Sequence, residues 1–182
     1  MNLTDKTLLI TGIGGFIGLR AAEIAIGKGL KVRGLEKDTD LAQKARNLGA
    51  EVIIGSVTDS SIAQKACQNV DIVLHTEEVA KEGGSIKESD EVNIDGTINI
   101  GKAARNAGIK TFVHLSTGSV YGFDYPNGVN EKEQLIKEKN PYCQTKIEAE
   151  KALQQLNSSR DFGIIIIRAG DVYGPGSIPW TV

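Results

Sequence analysis

Tyr142 and Lys146 stand four residues apart, the spacing that puts two side chains on one face of a helix. An unperturbed phenol gives up its proton only near pH ~10. A cation held beside it favours the phenolate and draws that value toward the working range. Such a pair can move a proton on oxygen while a hydride leaves or joins carbon, provided a hydroxyl holds the reacting oxygen. Upstream, Phe112-Val113-His114-Leu115-Ser116-Thr117 supplies that hydroxyl. A Tyr-x-x-x-Lys match arises readily by chance, so its surroundings must decide.

A second group lies near the start of the chain. Thr11-Gly12-Ile13-Gly14-Gly15-Phe16-Ile17-Gly18 places Gly12, Gly15 and Gly18 at a three-residue spacing after an apolar run. Without side chains, backbone can approach a pyrophosphate, and a helix starting there offers unpaired N–H groups and positive potential. The bland alternative is a tight turn with no ligand. Glu36 follows eighteen residues after Gly18. A carboxylate there can accept hydrogen bonds from an adenosine ribose 2′-OH and would repel a 2′-phosphate, which favours NAD over NADP. Its bland alternative is a solvated carboxylate at a strand end.

These residues need elements to hold them, and the chain alternates strand and helix throughout. Strands are predicted at residues 7–10, 31–35, 51–54, 71–75, 110–115 and 162–168, as short apolar runs. Helices are predicted at 16–26, 41–48, 60–67, 91–106 and 141–156. Pro141 suits the first turn of the last of these, with Ile147, Ala149, Ala152, Leu153 and Leu156 as its packing face. Residues 79–88 and 123–139 read as loops, the charged run 131–139 as solvated. The pattern predicts an α/β fold: a Rossmann-type doubly wound parallel sheet with helices on both faces.

Composition sets limits. The 182 residues suit one domain, 40% hydrophobic and 24% charged, as in soluble globular proteins. A net charge of −2 without a clustered basic face gives no reason to expect nucleic acid or an anionic membrane as partner. The aliphatic run Ile164 to Ile167 is far too short to span a bilayer. Met1 leads almost directly into a strand-like segment, so no signal peptide is expected. Cys67 and Cys143 do not form a disulfide framework or a zinc site, and a cytoplasmic location follows. His75 and His114, within apolar strands, read as satisfied core histidines and not as metal ligands. Cys143 points about 100° around the helix from Tyr142 and reads as packing. Tyr121 is open between stacking on substrate and a structural role.

Taken together, the glycine pattern, Ser116-Thr117 with Val120-Tyr121-Gly122, and Tyr142-Cys143-Gln144-Thr145-Lys146 resemble the extended short-chain dehydrogenase/reductases, the NAD-dependent epimerase/dehydratase family. Asn93-Ile94-Asp95-Gly96-Thr97 and Arg168-Ala169-Gly170-Asp171-Val172-Tyr173-Gly174-Pro175 add to it. The motifs come in family order over essentially the whole chain. The resemblance implies Tyr142 as acid/base, with Lys146 holding the nicotinamide ribose and depressing the Tyr142 pKa. Thr117 would bond the reacting substrate oxygen. Phe16 and Ile17 would lie along the pyrophosphate, Ser56 and Val57 would border the adenine, and Thr76 and Asn93 would contact the cofactor, expected to be NAD. Residues 1–175 would form the NAD(P)-binding domain, and 176–182 would begin a smaller substrate part that is truncated or missing, since the chain stops there. A homodimer through the 91–106 and 141–156 helices fits the family habit.

The chain also departs from the family pattern. Glu77 and Glu78 stand where small residues, often alanines, line the cofactor; two carboxylates there repel a pyrophosphate unless they point away or pair with a cation. Ser56 replaces an acidic residue, and Ala169 and Asp171 replace the common Pro and Asn. Three readings follow. One is hydride transfer at a secondary alcohol or ketone, nearest in pattern to the 3β-hydroxysteroid dehydrogenase and dihydroflavonol reductase branch. Another is a nucleotide-sugar epimerase or dehydratase. From a different class comes a non-catalytic dinucleotide-binding module. A methyltransferase-like sheet leaves Tyr142, Lys146 and Thr117 unexplained.

Overall fold

The computed structural model describes residues 3–79, 90–123, 127–136, 140–158 and 160–177. Strands β1 (Thr7–Thr11), β2 (Lys31–Glu36), β3 (Glu51–Ile54), β4 (Ile72–His75), β5 (Thr111–Thr117) and β6 (Gly163–Ala169) alternate with helices α1 (Phe16–Gly27), α2 (Thr39–Asn47), α3 (Ser60–Cys67), α4 (Thr97–Asn106) and α5 (Pro141–Leu156). The six strands form one parallel sheet in the order β3-β2-β1-β4-β5-β6. The chain starts in the middle, winds out to β3, then crosses back to β4 and winds the other way. In such sheets ligands bind beyond the carboxyl ends of the strands where the order reverses. Here that point lies between β1 and β4, where Thr11 pairs with His75.

Alternation along the strands explains the two layers. Leu8 and Ile10 point to one face and pack with Ile13, Ala22 of α1 and Ala45 of α2. Leu9 points to the other and joins Ala63 of α3, Ile100 of α4 and Leu153 of α5 around Phe112. Because both faces of the central strands are covered, these strands read as continuous apolar runs. Ile165 and Ile167 on the edge strand β6 differ, at 51% and 46% exposed.

Some boundaries moved. Helix α2 begins two residues before its predicted start, because the Asp38 carboxylate accepts the N–H groups of Asp40 and Leu41 and so caps the first turn. The 91–106 helix opens with π-helical turns at Glu91–Gly96 before α4. Strand β5 continues to Thr117, which puts that hydroxyl at the strand's very end. Only Val79 of the predicted 79–88 loop lies within the described residues. The described part of the 123–139 loop holds turns without helix or strand. It is not simply solvated: Leu135 packs near Val120 and Ile147, and the Ile136 N–H donates to the Val120 carbonyl at 2.8 Å.

The two histidines divide. His75 is satisfied, with Nδ1 2.6 Å from Thr11 Oγ1 and Nε2 2.8 Å from Thr97 Oγ1. His114 corrects the expectation, because neither of its buried ring nitrogens has a hydrogen-bond partner. Its neighbours in register are His75 and Ile166, and the His75 nitrogens are already taken. Burial first, then the Lys146 charge, pushes the His75 pKa down to about 3, and burial, Lys146 and His75 hold that of His114 well below the usual range. Both rings are therefore neutral. Among the described residues no helix is long and apolar enough to cross a membrane.

Candidate dinucleotide site

The glycine turn is built by close approach. Gly12 has φ +64°, a left-handed conformation that glycine adopts without strain. Its carbonyl accepts the Gly15 N–H at 3.0 Å. A Cβ on Gly18 would overlap that same carbonyl, so only glycine lets α1 start this close to β1. Gly15 caps the helix with backbone alone, and no acidic side chain occupies the first turn. The opening N–H groups of α1 therefore face a cleft of about 1110 Å³ lined by Gly12, Phe16, Ile17 and Gly18. That is the arrangement that receives an anion.

Glu36 closes β2 on the same cleft. It is 4% exposed, and its carboxylate accepts the Gly14 N–H at 3.0 Å through Oε2 and the Asp38 N–H at 3.1 Å through Oε1. Beyond β6, the 170–177 segment returns over α1. A Cβ on Gly174 would sit 3.6 Å from the Phe16 ring, and Val172, Pro175 and Ser177 line the cleft.

At the far end of the cleft stand Thr117 and Tyr142. Asn140 caps α5 through the Tyr142 and Cys143 N–H groups, which fixes Tyr142 in the first turn. The Tyr142 hydroxyl donates to Glu78 Oε2 at 3.1 Å. Lys146 Nζ lies 3.1 Å from the same oxygen and donates to the Leu115 carbonyl at 2.6 Å. The Tyr142 pKa accordingly lies above, not below, its ordinary value. Burial is the main cause and the Glu78 carboxylate adds to it, while Thr117 pulls the other way. The expected depression by Lys146 does not hold in this state, because burial disfavours the phenolate and Glu78, paired with the ammonium, accepts the phenol's hydrogen bond.

Glu77 points to the opposite end. The position of a Cβ on Gly12 lies 3.0 Å from Glu77 Oε2, so this carboxyl stands against the glycine turn. Burial, with the Glu36 carboxylate adding and Lys37 opposing, pushes its pKa up to about 7. The two acids thus take different courses: Glu78 pairs with a cation, and Glu77 shares its proton with solvent near neutrality.

A third cluster was not anticipated. Glu150, fully buried on α5, accepts Ser116 Oγ–H at 2.5 Å and Arg168 Nη2–H at 2.7 Å. Arg168 also donates to the Tyr121 hydroxyl at 2.5 Å and lies over its ring, which gives Tyr121 a structural partner. The signal available was Glu150 itself, a carboxylate between Ala149 and Leu153 on the packing face of α5.

Of the expected site residues, the cleft brings together Gly12, Gly15, Phe16, Ile17, Gly18, Glu36, Thr76, Thr117 and Tyr142. Lys146 sits directly behind Tyr142, its side chain 3% exposed. Asn93 is buried and braces the wall, accepting the Val79 N–H at 2.8 Å and donating to Thr145 Oγ1 at 3.1 Å. Ser56 and Val57 are not among the cleft-lining residues. Val57 is buried in the core, and Ser56 Oγ lies 2.8 Å from the Thr58 hydroxyl. Cys143 is buried as packing.

Known proteins are similar to this chain in sequence and fold. A dTDP-D-glucose 4,6-dehydratase of Dictyostelium discoideum is 30% identical over 202 residues, covering 98% of this chain and 46% of that protein. A 3 beta-hydroxysteroid dehydrogenase/Delta 5-->4-isomerase of Mycobacterium tuberculosis is 27% identical, covering 93% of this chain and 48% of that protein. The solved UDP-glucuronic acid 4-epimerase from Bacillus cereus, in complex with NAD, superposes with a TM-score of 0.80 at 26% identity, over 93% of this chain and 58% of that one. The chain spans about half the length of the curated relatives it matches. With the profile of the NAD dependent epimerase/dehydratase family matching residues 8–180, over the same turn, strand end and tyrosine helix, the chain belongs to that family.

Proposed function

We propose that this chain is the dinucleotide-binding part of an NAD-dependent oxidoreductase acting at a secondary alcohol or ketone. One observation carries the reading: a single cleft runs from the Gly12–Gly18 turn and Glu36 to Thr117 and Tyr142. The pyrophosphate would lie at the start of α1, and the adenosine ribose would bond Glu36. NAD, when bound, supplies the hydride acceptor. With Glu78 turned aside and its phenol ionised beside Lys146, Tyr142 would take the proton from the substrate oxygen, Thr117 would hold that oxygen, and Lys146 would hold the second ribose. Residues 1–175 would form this domain, with a substrate part beginning at 176. The reading extends to a cytoplasmic protein that pairs with a second copy through the 91–106 and 141–156 helices.

The structural neighbours favour a second form of the same chemistry. A sugar epimerase or dehydratase needs the same acid/base set, and a 4-epimerase with NAD superposes on this chain. A non-catalytic module draws support from the Glu78 contact with both Tyr142 and Lys146. Calorimetric titration with NAD and NADP tests the shared core of these readings. NAD should bind one to one and more tightly than NADP; tighter NADP binding would overturn the role of Glu36. For the longer protein, Tyr142→Phe should cut kcat by roughly 10²–10⁴-fold while NAD affinity holds. Unchanged turnover would remove Tyr142 from the mechanism.

A further inference from the structure

One carboxylate oxygen, Glu78 Oε2, receives both groups on which the chemistry depends, the Tyr142 O–H and the Lys146 ammonium, each at 3.1 Å. A phenol has one proton to donate and an ammonium three. The Tyr142 donor is fully committed, and two of the three on Lys146 are taken by Glu78 and the Leu115 carbonyl. Lys146 is almost wholly out of solvent, its side chain 3% exposed. An ammonium so buried needs a counter-charge or a full set of acceptors. Glu78, at 29% exposed on the cleft wall, supplies the charge and has room to leave. The diphosphate end of the cleft does not use Glu78, since the turn of Gly12–Gly18 is braced by Glu36 and faced by Glu77.

We propose that Glu78 is a specificity gate for the nicotinamide half of the cleft. Its carboxylate occupies the contacts that a second ribose and a reacting oxygen would make, so the free chain favours adenosine diphosphate-type ligands until Glu78 swings aside. This rests on the dinucleotide reading above. A full dinucleotide must displace a charge-assisted hydrogen bond and an ion pair and replace both with neutral hydroxyls. A ligand that ends at the diphosphate displaces neither. The nicotinamide half therefore adds little affinity in the unaltered chain, where its extra contacts would otherwise add much. Removing the Glu78 charge frees Tyr142 and leaves Lys146 seeking acceptors, which the second ribose provides.

The test is calorimetric titration of the unaltered chain, Glu78→Gln and Glu78→Ala with ADP and with NAD, near neutral pH and at fixed ionic strength. The unaltered chain should bind NAD no more tightly than ADP. In Glu78→Gln, which keeps an acceptor oxygen for Lys146, NAD affinity should rise about tenfold or more while ADP affinity stays within about threefold. Unaltered chain that binds NAD tenfold or more tighter than ADP overturns the gate without any variant. So does ADP binding with no gain for NAD in the folded variants, and in that case the dinucleotide reading stands. Loss of ADP and NAD binding alike, in the unaltered chain as well, would remove both.

Discussion

Glu36 Oε2 accepts the Gly14 N–H at 3.0 Å, so the carboxylate that ends β2 also braces the turn that opens α1. The proposed ribose contact and the turn geometry are therefore one unit, and a change at either residue is felt by both. Because Glu36 is 4% exposed, its partners matter: a buried carboxylate is stable only when its lone pairs are filled.

Glu36→Ala should lower stability by about 1–3 kcal/mol, the usual cost of leaving buried donors unpaired. It should also relax the preference for NAD over NADP. Thermal unfolding and paired titrations with the two nucleotides check this. A preference unchanged by the substitution would remove Glu36 from ribose recognition.

Gly18→Ala places a methyl group against the Gly12 carbonyl and Ile13. Overpacking of this kind costs about 1–3 kcal/mol, and relief requires the turn to open. Nucleotide binding should be lost before the fold is. Circular dichroism alongside ADP titration separates the two effects, and full ADP affinity in the variant would contradict the placement of the diphosphate at this turn.

Glu77 makes stability and binding depend on pH. Its pKa is raised from 4.5 to about 7, chiefly by burial and then by Glu36, with Lys37 opposing. The folded chain thus holds a proton that the unfolded chain has released. The resulting stabilisation is complete below about pH 4.5 and is lost as pH rises through about 7, a few kcal/mol at most at ~1.4 kcal/mol per unit. A diphosphate beside Gly12 adds negative charge, so nucleotide affinity should fall over the same window. Glu77→Gln should flatten both profiles, in thermal melts and in titrations across that range. A slope that survives the substitution would assign the dependence to another group.

Glu150→Ala leaves Arg168 without its counter-charge and Ser116 without its acceptor. Breaking a buried pair from one side costs about 3–5 kcal/mol. Since Ser116 precedes Thr117 on β5, the variant should also disturb the Tyr142 end of the cleft. Denaturant unfolding measures the first effect, and a loss under about 1 kcal/mol would mean that the pair does not hold β6 to α5.

Much of the architecture could be read from residue order. Leu8-Leu9-Ile10 before a glycine cluster reads as a covered parallel strand because alternate residues bury on opposite faces, and the glycines, Glu36 and Tyr142 follow from type and spacing. Other features depend on distances that sequence does not encode. Glu78 meets Lys146 across 68 positions, set by how the chain leaves β4 and where β5 delivers Leu115. His114 looks like His75 on paper, yet only His75 falls between two threonine hydroxyls. The π-helical turns at Glu91–Gly96 differ from α-helix by one residue in hydrogen-bond reach, which a hydrophobic pattern does not register. Val57 follows β3, yet its side chain packs against Gly96 in the core, a contact that residue type alone does not reveal.

The most direct measurement is a crystal structure of the chain with NAD bound. The pyrophosphate should lie over Gly12–Gly15 at the start of α1, the adenosine ribose should bond Glu36, and the nicotinamide ribose should reach Lys146 with Glu78 turned off Tyr142. A pyrophosphate bound away from the glycine turn would contradict the assignment of this cleft.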